Sequence, residues 1–413
     1  MRKTTIINSL HICVFILFII LYFVFEEQDM IGSVMFHVDK TAASAPYRNH
    51  ALLATTILTA VCCLWGRWPR NLFSITIILL YFVSLSFSLL HGPSEAKGAL
   101  GYIVMTCAIV LPLLMYIFGY NLPYKISQKV IDRGIMFGMA FMGLFYAITM
   151  KSILLNYILH ENFRDGTVYV FMMFMPMVMT FKNAKVRNII IIFIVLAILT
   201  SLKRGGFVTI LIALFVYLIT TQHVSEKKIP AIVKILLFAI AIMAIFAVVI
   251  YINTQSEGKI FERFSTASAD GGSGRNVVYL IVFEMLMSCE PLQLLIGNGW
   301  NSVASNSPLG LSAHNDYLEI AYDVGIIGLF LLLSCVIQLG YITYKLVRKK
   351  SPLAPAFAAS FVIFFFTSMT AHVFLYVLNM SALMLFWGYA IAKINISQKQ
   401  KTEEITPPSI PSK

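Results

Sequence analysis

Charge is in short supply in this chain. Only 12% of the 413 residues are Asp, Glu, Lys or Arg, against 59% hydrophobic residues and a mean hydropathy of +0.82. A soluble domain of this size has no interior large enough to hide such an inventory from water, which excludes a soluble enzyme and leaves an integral membrane protein. Cysteine is scarce too. Cys13, Cys62, Cys63, Cys107 and Cys335 lie in or beside apolar runs and only Cys289 falls in a long loop, which argues against a disulfide framework or a thiolate metal site. Internal repeats and heptad arrays are absent. No small-residue cleavage site follows the first apolar run; Glu26, Glu27 and Asp29 do, so that run is expected to be a retained helix and not a removed signal peptide.

What is present is a series of apolar runs at roughly 6–25, 49–65, 72–90, 99–119, 134–150, 167–181, 188–203, 205–221, 231–252, 320–344, 353–371 and 376–393. Since about 20 apolar residues span a bilayer, the expected fold is an all-α polytopic membrane protein of about twelve transmembrane helices. Lys and Arg collect on cytoplasmic loops, and this orients the chain. With the N-terminus inside, 20 of the 31 basic residues fall on cytoplasmic segments and 15 of the 19 acids on the opposite face, so both termini are expected in the cytoplasm. The net charge of +12 therefore reflects membrane topology, with lipids and not nucleic acid as the partner. The chain divides into a membrane-embedded domain over 1–395 and a short cytoplasmic tail over 396–413, whose composition predicts disorder. One large outward loop, about 253–318, is turn-rich, with a helix predicted over 277–287 against the membrane surface.

Three features interrupt this pattern on the outer side. In SLKRGGF, Lys203 and Arg204 sit at membrane depth, where a charge needs a partner. They read either as interfacial cations snorkelling to headgroups or as an anion site, with Gly205 and Gly206 admitting a ligand to a helix N-terminus. In GGSGRNVVY, Arg275 follows a flexible glycine turn that can offer N–H donors and a guanidinium to phosphate, although the Gly-Lys-Ser/Thr ending of a P-loop is missing; a solvated loop arginine is the simpler alternative. His314 closes the large loop in SAHNDYLEIAYDVGIIG, with Ser312 or Asn315 placed to cap the following helix. Asp316, Glu319 and Asp323 suit the positive end of that helix. Gly325 and Gly328 permit close helix packing.

The run His314-Asn315, nine residues, Gly325, two residues, Gly328 resembles the signature of the O-antigen ligase and polymerase superfamily, the bacterial membrane glycosyltransferases of the WaaL, Wzy and PglL type. SLKRGG and GGSGR resemble that family's two conserved arginines, and the likeness covers about residues 190–345. It implies a GT-C-like fold and a metal-independent, cofactor-free enzyme of the inner membrane. Such an enzyme moves a glycan from undecaprenyl diphosphate to a hydroxyl at the periplasmic face. In a ligase the acceptor is lipid A-core, in a polymerase a growing glycan, and in an oligosaccharyltransferase a protein serine. The chain has no Asp-x-Asp to hold a cation, so Arg204 and Arg275 are assigned to the diphosphate and His314 to the acceptor hydroxyl. Lys203 and Asn315 are assigned as substrate-binding residues, and no metal ligand is assigned. A twelve-helix transporter or flippase is disfavoured by the short link FKNAKVR between the sixth and seventh runs and by the few ionisable residues within helices.

Overall fold

The computed structural model describes residues 2–22, 45–92, 99–141, 143–144, 167–200, 204–225, 247, 250–251, 253–254 and 274–405. Among these, every regular element is a helix. In chain order they are α1 (Arg2–Ile20), α2 (Ala45–Leu64), α3 (Leu72–His91), α4 (Ala99–Lys125), α5 (Thr167–Met179), α6 (Ala184–Thr200), α7 (Arg204–Val224), α8 (Arg275–Met287), α9 (Pro291–Ile296), α10 (Ser302–Asn306), α11 (Asp316–Asp323), α12 (Gly325–Arg348), α13 (Ala354–Thr370) and α14 (Val377–Ile405). Residues 128–141 are helical as well. Among the described residues, five stretches are long and apolar enough to cross a membrane: Leu72–His91, Ala99–Lys125, Gly205–Val224, Gly325–Arg348 and Val377–Gln400. Four shorter apolar helices accompany them. The described residues are thus all-helical, with the apolar spans of a polytopic membrane protein. Most of the ninth apolar run, 231–246, lies outside the described residues.

The centre of the bundle is set by one close crossing. A Cβ on Gly388 of α14 would lie 2.0 Å from the Tyr116 carbonyl oxygen of α4, and one on Gly119 would lie 2.2 Å from that of Leu385. Only paired glycines let two backbones touch in this way, the small-residue device of membrane helices. Around the crossing, Phe73 and Phe364 stand edge-on to Trp387 at centroid distances of 6.0 and 5.3 Å. Two polar pairs lie in this core: Trp387 donates to Ser360 Oγ (3.1 Å), and Ser74 Oγ lies 2.6 Å from the Tyr116 hydroxyl. Phe82, Phe137, Leu218 and Ile337 are exposed, as expected of side chains facing lipid.

The structure departs from the sequence pattern in two places. The apolar run that begins at 320 contains a break: α11 ends at Asp323, and the membrane-length helix α12 starts afresh at Gly325. The reason is a close approach of chains. Gly325 (φ +78°) and Gly297 (φ +80°) face one another, and a Cβ on either would fall within 2.3 Å of a backbone oxygen of the other strand. The contact is sealed by Asn298 N–H to Tyr322 O and Gly299 N–H to Asp323 O, both 2.9 Å. Gly325 therefore serves this loop and not helix–helix packing. The second departure is the tail, where α14 continues through residues 396–405. Its Gln, Lys and Glu residues are good helix formers, and Lys399 stands four residues ahead of Glu403, a favourable helical spacing.

The part of the large loop that is described is mostly helical. Within α8, Val278 and Val282 are buried against α11, while Val277, Leu280, Phe283 and Met287 stay exposed. The helix ends sort into two groups. At one end lie the starts of α5, α7, α12 and α14 and the ends of α3 and α13. Its loop 297–303 covers α3, since a Cβ on Gly299 would sit 2.9 Å from His91 Cβ. At the other end Asp132 interacts with Lys182 and Lys393, and Arg67 stacks over Tyr124 at 4.4 Å.

Candidate active site

The first group of helix ends holds a cluster built around α11. Asn315 caps that helix, its Oδ1 accepting from Tyr317 N–H (3.0 Å) and Leu318 N–H (3.3 Å). His314 therefore precedes the helix and does not share a face with it. Its backbone is left-handed, φ +52°, an uncommon state for a residue with a side chain. Glu319, one turn into the helix, holds the loop in that shape: its carboxyl accepts from Ala313 N–H and also interacts with the backbone of His314. The result is an exposed imidazole presented on a rigid corner.

Against it lies a residue that no local motif marked. His372, in the link between α13 and α14, has its ring centroid 4.9 Å from that of His314. His372 Nε2 is 2.9 Å from Ser312 Oγ and 3.7 Å from Glu319 Oε1; Nδ1 is 3.8 Å from Asp316 Oδ1. The link itself is pinned by Asp316, whose Oδ2 accepts from Val373 N–H and Phe374 N–H, both at 2.9 Å. Asp323 plays a similar part on the other side. Its carboxylate receives Asn301 N–H (2.7 Å), Ser302 N–H (3.0 Å), Val303 N–H (3.2 Å) and the Ser302 hydroxyl (2.8 Å).

All three acids are fully buried, a depth that complementing the helix dipole does not require. Burial penalises their charged forms. It pushes the Glu319 carboxyl up to about 9, with the nearby charges of Asp323 and Asp316 adding to the effect and the Ala313 and His314 backbone opposing it. Burial likewise raises Asp323 to about 7 against the pull of its hydrogen-bond donors. Sequence reasoning missed His372, Ser312 as its partner, and the depth of the acids. The one available signal was the polar break Thr370-Ala371-His372 between two apolar runs.

Of the predicted cations, Arg275 is the one whose side chain is described. Arg275 opens α8 after Gly274 (φ +75°), is half-buried, and interacts electrostatically with Tyr169 near the start of α5. Tyr169 is also a neighbour of α7: a Cβ on Gly205 would lie 3.8 Å from its hydroxyl and 3.1 Å from Thr370 Oγ1. Arg204 is the first residue of α7, whereas Lys203 lies outside the described residues. Tyr279 of α8 donates to Met369 O (3.1 Å), docking that helix on the end of α13. Thus His314, Asn315 and His372 are brought into one cluster, while Gly205 of α7 and Tyr279 of α8, one turn after Arg275, reach the end of α13 at Thr370 and Met369. Among the described residues no group of three or more His, Cys, Asp or Glu is placed to hold a metal ion.

Residues 189–333 match the family model described as O-antigen ligase. This segment is similar to the O-antigen ligase family. No curated protein matches the chain. The matched segment contains the α7 start, Arg275, His314 and the three buried acids. His372 falls beyond the matched segment and completes the cluster from the next helix pair.

The protonation of Glu319 gives this domain a pH-dependent stability. Its carboxyl titrates near 9 in the fold against an ordinary 4.5, so the folded state holds the proton more tightly. The associated stability is full below pH 4.5 and is lost as pH rises through 9. Glu319→Gln, a neutral isostere that still accepts from Ala313, removes this contribution and leaves that of Asp323. In thermal unfolding between pH 5 and 9, the wild type is expected to lose stability more steeply than the variant, by up to about 1.4 kcal/mol per pH unit. Equal slopes would refute the assignment.

Proposed function

We propose that this chain transfers a glycan from undecaprenyl diphosphate to a hydroxyl of lipid A-core, acting as an O-antigen ligase at the periplasmic face of the bacterial inner membrane. The observation that supports the proposal is the contact of His314 with His372 and of Gly205 with Thr370 at the α13–α14 link, together with the similarity of residues 189–333 to the O-antigen ligase family. The basic residues at the opposite bundle end support a cytoplasmic location for that end and for both termini.

A diphosphate leaving group gathers negative charge as its bond to the sugar breaks. Cationic side chains and a helix N-terminus fixed in advance stabilise that charge most strongly where water is excluded. Arg275, Arg204 and Lys203, with the glycines that open α7, supply those groups without a metal ion. The acceptor hydroxyl loses its proton as it attacks the anomeric carbon. An imidazole suits the task of orienting the hydroxyl or accepting its proton, and His314 presents one at the surface of the cluster.

A deletion strain tests the assignment. Loss of every long glycan chain from the lipid A-core, with lipid-linked polymer accumulating, is the expected ligase result. Survival of core bearing a single repeat would instead make the chain a polymerase of the same family. An unchanged surface-glycan pattern would refute both.

A further inference from the structure

The connectivity Asp316–His372–Ser312 is that of a hydroxyl-activating triad: a carboxylate behind Nδ1 and a hydroxyl hydrogen-bonded to Nε2. We propose that these three residues form a proton relay serving the acceptor hydroxyl, with Ser312 as its entrance and His372 as the place where the proton rests. The inference builds on the transferase reading and refines it, leaving His314 to orient the acceptor.

Burial orders the residues as a relay would require. His314 is exposed, Ser312 half-buried and His372 8% exposed, while Asp316 and Glu319 are completely enclosed. Two atoms stand ready for one another. His372 Nδ1 and Asp316 Oδ1 are buried, hold no hydrogen bond, and face each other across 3.8 Å. Buried polar atoms are seldom left unmade, and closing this gap by less than 1 Å pairs both. The groups facing the His372 ring are Asp316 and Glu319 from α11, Ser312 and His314 from the preceding loop, and Tyr376 from its own link, stacked at 5.9 Å. That link is fixed by the two backbone bonds to Asp316, so the carboxylate both positions the ring and stabilises its cation.

The relay balances as follows. As the acceptor oxygen bonds to the anomeric carbon, its O–H bond breaks and the proton passes to Ser312 Oγ. The proton already on Ser312 passes to His372 Nε2. The sugar–oxygen bond breaks and its electron pair leaves with the diphosphate. Serine ends as a hydroxyl and His372 as an imidazolium beside Asp316; the reverse exchange with water or the departing diphosphate resets the pair. His372 and Asp316 act through Ser312 and are positioning residues by this account.

The test measures initial transfer rates in membranes of the deletion strain, which carry its endogenous lipid-linked glycan and acceptor, after complementation with full-length variants. Ser312→Ala and His372→Gln are expected to lower the maximal rate on the order of 100-fold while the donor concentration for half-maximal rate stays unchanged. Ser312→Thr, which keeps the hydroxyl, should restore the rate to within several-fold. In histidine-15N spectra, one ring with a protonated Nδ1 and an accepting Nε2 should disappear in His372→Gln and shift in Ser312→Ala, a readout independent of activity. A wild-type rate in His372→Gln, or a threonine variant no better than alanine, overturns the relay. If those variants retain transfer while Arg275→Ala loses it, the relay falls and the transferase stands. If Arg275→Ala also transfers normally, the transferase reading itself fails.

Discussion

Replacing His314 by Asn, or Arg275 by Ala, is expected to lower glycan transfer by roughly 100- to 10,000-fold while leaving the protein inserted and folded. Asn is the informative choice at 314. The native backbone there is left-handed, a conformation Asn tolerates better than Ala, so the variant keeps the corner and removes only the imidazole. The side chain is exposed and its loop is held through the backbone by Glu319, so little folding energy depends on the ring. Arg275 is half-buried at the first turn of α8, whose attachment rests on Val278, Val282 and the Tyr279 bond to Met369. Losing the guanidinium therefore spares the docking of α8. Arg275→Lys should recover part of the activity, because a point charge replaces a planar fork. The two losses should not add if both groups act in one transition state. The measurement is acceptor-linked glycan formed by isolated membranes, with variant abundance as the control. Normal transfer by either variant would remove that residue from the chemistry.

How much of this was open to the sequence depended on whether a residue's role is local. The membrane helices were legible because a 20-residue apolar run has few other uses, and His314, Asn315 and Arg275 were legible because each sits in a short motif beside a helix start. Even the glycine at 325 could be marked, though its purpose could not: the partner it admits, the 295–297 backbone, is distant in sequence. His372 was hidden for the same reason. A lone histidine between two apolar runs gains its meaning only from Ser312 and Asp316, 60 and 56 residues away. The depth of the acids was hidden because Asp316 and Glu319, in the first turn of α11, have a sufficient explanation in the helix dipole. Their burial depends on the 301–303 and 373–374 backbones folding over them, which no periodicity records. Composition also failed on the tail. A polar sequence that cannot make a core still extends a helix already nucleated by the membrane segment before it.

Asp323→Ala should unfold the 297–306 segment locally and cost about 3–6 kcal/mol, the largest stability effect expected in the domain. The carboxylate is fully buried and receives three backbone N–H groups and the Ser302 hydroxyl. Alanine leaves those three donors without an acceptor, each at roughly 1–3 kcal/mol. Asp323→Asn should be milder, about 1–3 kcal/mol, because its oxygen can still serve Ser302 and Val303 while its amide opposes the Asn301 N–H donor to donor. Hydrogen exchange reads the effect directly: amides of 301–303 should lose protection in the alanine variant, partly in the asparagine variant, and not in His314→Asn. Unchanged protection in Asp323→Ala would show that packing alone holds the segment. The disturbance should also reach transfer, because Trp300 of this segment lies 5.8 Å from Phe374, whose N–H is held by Asp316 beneath His372. A stability defect that weakens transfer through this chain of contacts should be partly reversed by lower temperature. The loss in His314→Asn should persist at every temperature, since there the missing element is a chemical group and not a folded loop.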